Sequence, residues 1–263
     1  MKNIMLLVHA DDGQESRFQC ALDAARAVDG HLTCLDVVSP PVIAGDYVDA
    51  YAQGILLEDA VEAEADNRSR LEPRLRIEGV PYTWVEATGF IPDSIVEHAG
   101  LNDLVVVGAD PGGDGMGPSG VAAQIVRKVD RPVLAVPRGA KAFDVAGTAI
   151  VAWDGSDPAN AALRAAVPLL QKAGKTVIVT IGPSRCDPTD AAEYCARHGI
   201  EAEILATPGT GSTGKLLLDR IAVLGAAWMV MGAYGHSPIR EAVFGGVTRE
   251  LLEHTPVPLL IAA

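Results

Sequence analysis

An apolar strand, Trp228 to Met231, runs directly into G-A-Y-G-H-S-P-I-R-E-A-V-F-G-G-V-T, Gly232 to Thr248. Glycine leaves no side chain between the main chain and a ligand, so a strand ending this way presents N–H groups that can turn toward an anion. A second pair, Gly245 and Gly246, stands where an apolar helical pattern (Val247, Leu251, Leu252) begins. The first N–H groups of a helix are unsatisfied and carry partial positive charge. Gly232, Gly235, Gly245 and Gly246 therefore read as two half-sites of one phosphate-binding pocket, with the N–H of Gly246 or Val247 as donors. A lone glycine pair usually makes only a tight turn; four glycines at this spacing favour the ligand reading. His236 lies in the same loop, where an imidazole can touch a phosphate or carry a proton, although a single loop histidine more often faces solvent.

The elements that must position this loop occur twice along the chain. The first half opens with a strand, Asn3 to His9, and a helix from Gln14 to Val28 with Phe18, Ala21, Leu22 and Ala25 on one face. The second opens with Ala149 to Trp153 and a helix from Pro158 to Lys172 with Ala162, Ala165, Ala166 and Leu169 inward. Each helix is expected to end at a glycine, Gly30 and Gly174, followed by second strands Leu32 to Val38 and Thr176 to Ile181. Third strands (Tyr82 to Ala87, Glu203 to Ala206), fully apolar fourth strands (Leu104 to Val107, Trp228 to Met231) and proline-started fifth strands (Pro132 to Val136, Pro258 to Ala262) follow with intervening helices. Strands apolar on both faces that alternate with helices require a parallel sheet covered on both sides. The fold class is thus α/β, two tandem doubly wound five-stranded parallel-sheet domains, at residues 1–140 and 146–263. The first half also holds a predicted loop, Pro40 to Gly54, and an acidic helix over Glu58 to Glu72; a short linker, Arg138 to Gly147, joins the halves.

Composition narrows the partners. A formal charge of −13 with no block of Lys and Arg repels nucleic acid and anionic lipid. The opening M-K-N-I-M-L-L-V-H-A-D-D is too short an apolar run for a signal peptide, and no stretch is long enough to span a membrane, so a cytoplasmic location is expected. Cys20, Cys34, Cys186 and Cys195 lack paired spacing, and the six histidines are scattered, so neither a disulfide framework nor a metal site is expected.

The β-strand end I-V-A-W-D-G-S (Ile150 to Ser156), the run W-M-V-M-G-A-Y-G-H and the following F-G-G-V-T-R-E-L-L resemble the universal stress protein family in its tandem form, over nearly the whole chain. The resemblance implies an adenine nucleotide alpha hydrolase-like sheet of strand order 3-2-1-4-5 and a role in the stress response. It also implies ATP, with Mg²⁺, held by a Gly, two residues, Gly, nine residues, Gly, Ser/Thr pattern. Gly232, Gly235 and Gly245 meet that spacing, but Gly246 replaces the hydroxyl residue, which weakens binding without removing the backbone donors. Thr248 is a substitute hydroxyl if the loop shifts, or a helix residue bonded to its own backbone. Asp154 matches the carboxylate that faces the nucleoside, and it also fits an Asp-Gly turn. Ile181, at the end of the second strand, completes the nucleotide-binding set. Loops after strands one and four flank the crevice where strand order reverses, the usual ligand site of such sheets.

The first half lacks the pattern. From Gly108 its loop is shorter and carries Asp110 and Asp114, which repel phosphate, and Ala10 aligns with Asp154, with Asp11 beside it. This half is expected to serve as a dimer-like partner; the resemblance implies that the closing strands, Val133 to Val136 and Leu259 to Ala262, pair across a pseudo-two-fold axis, while association of two such chains stays open. A G-x-x-x-x-G-K match at Gly209 to Lys215 fails at Leu216 and follows a third strand, so a flexible loop is the favoured reading. Ser156, Arg240 and Arg249 form no catalytic set for ATP hydrolysis. The expected function is a nucleotide-binding stress sensor with an unidentified protein partner; the alternatives are a scaffold that binds no nucleotide and a slow ATPase.

Overall fold

The computed structural model describes residues 1–39, 50–109, 120–233 and 246–263. In chain order its first half comprises β1 (Asn3–Val8), α1 (Gln14–Val28), β2 (His31–Val38), α2 (Ala50–Glu78), β3 (Tyr82–Thr88), α3 (Ile91–His98), β4 (Leu104–Gly108), α4 (Gly120–Ile125) and β5 (Val133–Val136). The second comprises β6 (Thr148–Ala152), α5 (Asp157–Leu170), β7 (Lys175–Ile181), α6 (Pro188–Arg197), β8 (Ala202–Thr207), α7 (Thr213–Leu224), β9 (Trp228–Gly232), α8 (Gly246–His254) and β10 (Leu259–Ala262).

The strands join in one ten-stranded sheet of order β3-β2-β1-β4-β5-β10-β9-β6-β7-β8. Each half has the order 3-2-1-4-5 and parallel neighbours. The seam is antiparallel: Leu259 pairs with Ala135, Leu260 with Leu134 and Ile261 with Val133. This pairing covers two apolar edges that would otherwise invite aggregation. Alternation along the strands feeds two layers. Ile4, Leu6 and Val8 of β1 belong to the layer that α1, α2, α5 and α6 cover, and Met5 and Leu7 belong to the layer under α3, α4, α7 and α8. Both layers run across the seam, so the halves share their cores.

The segment between the halves is more than a tether. Phe143 is buried and meets Trp228 edge-on at 5.5 Å, and its N–H donates to Asp23 Oδ2 of α1 at 2.9 Å. A side chain at Gly147 would stand 2.6 Å from the Ala227 Cβ. Lys141 and Asp144 are exposed, as expected of a surface linker.

Two sequence expectations change. The left-handed residue closing α1 is Asp29 (φ 47°), and α5 ends at Gln171 in a right-handed conformation. Gly30 and Gly174 serve a different need: a Cβ would lie 2.9 Å from the Lys2 carbonyl oxygen at the first and 2.7 Å from that of Ala146 at the second. Glycine is required because the main chain entering each second strand passes against the start of the first strand. The expected loop Pro40 to Gly54 falls partly outside the described residues (40–49), while Ala50 to Gly54 already belong to α2.

Candidate functional site

At the C-terminal end of β6 the chain turns through Trp153 to Ser156 into α5. Gly155 takes φ +76°, the Asp154 carboxylate Oδ1 accepts the Ser156 N–H at 2.9 Å, and Ser156 Oγ caps the helix by accepting from Ala159 N at 3.3 Å. Asp154 therefore makes the turn predicted from Asp-Gly and remains half-buried at the mouth of the crevice. Pro158 in the first turn has no N–H to leave unpaired. The loop after β7 leans onto this turn: Arg185 N donates to the Asp154 carbonyl at 2.8 Å, and a side chain at Gly155 would meet Cys186 N at 2.9 Å. Ile181, half-buried at the end of β7, pairs with Thr207 of β8. Asp154 and Ile181 thus lie on adjacent strand ends.

Gly232 ends β9 directly against the first turn of α5, where a Cβ would stand 2.6 Å from the Pro158 carbonyl carbon and closer still to Ala159 N. Its lack of a side chain brings the fourth-strand end and the α5 N-terminus together, so that their N–H groups border one crevice. Gly246 opens α8 and is exposed, with no atom within 4 Å of where a Cβ would stand. Val247 is half-buried, and Thr248 is 3% exposed and turned into the core. The Thr248 hydroxyl therefore meets a ligand only if the first turn of α8 moves. Gly235, His236 and Gly245 lie outside the described residues, as do Asp110, Asp114 and Arg240.

The glycine-lysine match at Gly209 to Lys215 has a structural explanation. Gly209 packs on Gly182, where a Cβ would lie 3.0 Å from the Gly182 Cα. At the start of α7 the Glu250 carboxylate accepts from Ser212 Oγ and fills the space beside Gly214, 2.8 Å from where a Cβ would be. A carboxylate of the protein itself thus occupies the space beside this helix start, and Lys215 is exposed. Arg249 pairs with Glu253 at 2.7 Å.

The corresponding turn of the first half is built differently. Asp11 Oδ1 accepts from Gly13 N at 2.7 Å, as Asp154 does from Ser156, so Asp11 rather than Ala10 is the counterpart of Asp154. Asp11 is already engaged: Arg17, 3% exposed, sends Nη1 to Asp11 Oδ1 at 2.8 Å, Nη2 to the His9 carbonyl at 3.1 Å and Nε to the Leu7 carbonyl at 3.3 Å. The same helical position in α5 holds Asn160, which accepts from Trp153 Nε1 at 2.9 Å. Above β2, the inward groups of α2 approach His9 and Asp36. Sequence reading missed Arg17 and Glu64; the signal was a charge in line with apolar neighbours, Arg17 with Ala21, Ala24 and Val28, and Glu64 with Leu71 and Leu75.

Burial pushes the Cys20 and Cys34 thiols up to about 12, which keeps them protonated near neutral pH. Among the described residues no group of three or more His, Cys, Asp and Glu side chains is placed to hold a metal ion, and no helix is long and apolar enough to cross a membrane.

The strand order 3-2-1-4-5 of each half, reversing between β6 and β9 in the second, is that of the adenine nucleotide alpha hydrolase-like class of α/β folds. Within that class, the profile of the universal stress protein family matches residues 1–137, and the chain belongs to that family. Universal stress protein Slr1230 of Synechocystis sp. is 28% identical over 192 residues, 66% of this chain and 62% of that relative; the match therefore spans less than two thirds of the relative's length. The crystal structure of a universal stress protein from Archaeoglobus fulgidus DSM 4304 superposes with a TM-score of 0.76 over 99% of this chain and 97% of its own, at 14% identity. A functionally unknown protein from Pseudomonas aeruginosa PAO1 gives 0.60 over 100% and 92%, at 16% identity. At such identities the likeness concerns the fold. The family profile covers the half without the glycine pattern.

Proposed function

We propose that the second half, residues 146–263, binds ATP with Mg²⁺ and that the chain acts as a cytoplasmic stress-response sensor, its nucleotide state altering conformation and the choice of a protein partner. The observation that carries this reading is the juxtaposition of Gly232 with the capped N-terminus of α5, beside the half-buried Asp154. Helix N-terminal donors and a glycine strand end suit phosphate oxygens, and a carboxylate acceptor suits ribose hydroxyls or an adenine amine. Gly232, Gly235, Gly245, Gly246, Val247 and Thr248 are the proposed phosphate side, with His236 in the same loop; Asp154 and Ile181 are the nucleoside side. The metal would be held through the phosphates, as Mg²⁺ commonly is. Residues 1–140 are assigned the role of a built-in partner domain without a family-type site.

Titration calorimetry with ATP and Mg²⁺ tests the reading. Saturation at about 100 times Kd stabilises the chain by about 2.7 kcal/mol, a measurable rise in Tm. No heat and no thermal shift at millimolar nucleotide overturns it in favour of an interaction scaffold. That second reading has one residue in its favour, Gly246 where the family pattern has a hydroxyl.

A further inference from the structure

Helix α2 turns polar groups inward where it crosses the C-terminal ends of β1 and β2. Glu64 is 5% exposed and Asn67 is 0% exposed, while Ile55, Leu56, Leu57 and Val61 of the same helix face solvent. Leu71 and Leu75 anchor the later turns in the core, so the earlier part is held chiefly by hydrogen bonds and charge. Gln14 and Asn67 exchange amide hydrogen bonds of 2.7 Å, and Asn67 Nδ2 donates to Glu64 Oε2 at 3.2 Å. His9 Nδ1 lies 2.6 Å from Glu64 Oε1. Asp36, 4% exposed, accepts from Trp84 Nε1 at 3.2 Å through Oδ2, while its Oδ1 has no fixed donor. Asp36 and Glu64 are both buried, and the Glu64 charge opposes ionisation of Asp36; one proton held between two such carboxyl groups relieves the repulsion.

We propose that α2 is a pH-operated clamp across the first-half crevice, docked when Asp36 and Glu64 share a proton and His9 is an imidazolium, and loosened when those protons leave. The described charges around the cluster are His9 and Asp11 after β1, Arg17 of α1, Asp36 of β2, Glu64 and Arg68 of α2, and Glu86 of β3. Arg17 is matched by Asp11 at 2.8 Å, and Arg68, over the Trp84 ring at 5.3 Å, is matched by Glu86 and by Glu72 at 3.2 Å. What remains is His9, Glu64 and Asp36. With the imidazolium and one shared proton the trio is neutral; without either it carries two buried negative charges, which low-dielectric surroundings oppose.

Burial and the Glu64 charge push the Asp36 carboxyl up to about 7. Burial lowers His9, but the close approach and charge of Glu64 outweigh it and leave the imidazole raised. Both groups hold protons more tightly in the docked state than when α2 is released. Their contribution to docking is therefore complete below the released-state values and declines as pH rises through the window up to the docked-state values. The clamp is firm in mild acid and loose above neutrality, and it does not depend on nucleotide binding in the other half.

Hydrogen exchange of the full chain, expressed as protection relative to the unfolded peptide rate, reads this directly. Protection over residues 58–75 is expected to fall about tenfold per pH unit between pH 5 and 6.5 and to level off above neutrality, while α5 stays flat. D36N, which cannot gain the charge, is expected to keep α2 protected and remove the slope. Parallel pH dependence in α2 and α5, or an unchanged slope in D36N, overturns the proposal. Carboxyl-carbon NMR of the wild-type chain decides the case if D36N does not fold: an Asp36 midpoint near neutrality supports the clamp, and one near its ordinary value of about 4 refutes it.

Discussion

The two crevices of this molecule occupy the same place in the same strand order and are furnished in opposite ways. In the first half a buried guanidinium takes up Asp11 and two strand-end carbonyls, and α2 brings Glu64 toward His9 and Asp36. In the second half the Arg17 position is Asn160, and the sixth residue of the second strand, Asp36 in β2, is Thr180 in β7. The copy with charged groups buried in the crevice closes two strand-end carbonyls with a guanidinium. The copy with neutral ones sets the Gly232 strand end against the first turn of α5, which Ser156 caps, with Asp154 in the turn beside it.

The comparison can be broken most forcefully at the seam, because both halves depend on it. Phe143→Ala is expected to cost about 4 kcal/mol, read as a loss in urea midpoint for the whole chain; transitions that split into two would instead show halves that fold separately. Next comes the glycine pair at the fourth-strand ends. Gly232→Ala is expected to lose roughly 3 kcal/mol and to displace α5, since its Cβ meets backbone. Gly108→Ala is expected to lose less than about 1 kcal/mol, because its nearest atom is the Arg17 side chain at 3.5 Å. Chemical denaturation of the two variants checks the asymmetry, and equal losses would remove it.

Replacing the buried cation sharpens the contrast further. Arg17→Met is expected to cost about 2 kcal/mol because it strands the Asp11 carboxylate and two carbonyls, whereas Asn160→Ala, which breaks one neutral hydrogen bond, is expected to cost about 1 kcal/mol. Thermal unfolding near neutral pH measures both. The smallest effect falls on Gly246→Ser, which restores the family hydroxyl in open space. Stability is expected to change by less than about 0.5 kcal/mol, and ATP affinity to rise about fivefold, the worth of one hydrogen bond. Calorimetry on both proteins checks it, and unchanged affinity would argue against a phosphate at the start of α8.

Much of the fold was legible because its signals are local. The duplicated order of strands and helices, the inward residues of α1 and α5, and the proline-started closing strands follow from apolar periodicity and turn residues. The pairing of β5 with β10 followed from the family resemblance, and the structure shows its register. Helix ends were less legible: Gly30 and Gly174 look like caps but answer to carbonyl groups of a strand some distance back along the chain. The match at Gly209 to Lys215 misled for the same reason, since the group filling that helix start, Glu250, comes from α8.

The amino-acid order alone determined the α/β class, the repetition, and the residue types available to each crevice, because these rest on propensities and spacings within a few turns of chain. Tertiary structure decided how the first crevice is filled. Whether an aspartate after the first strand meets a buried guanidinium, as Asp11 does, and whether an acidic helix buries its glutamate, depends on side chains that meet only after the strands have assembled. Burial then changes the cost of every charge among them.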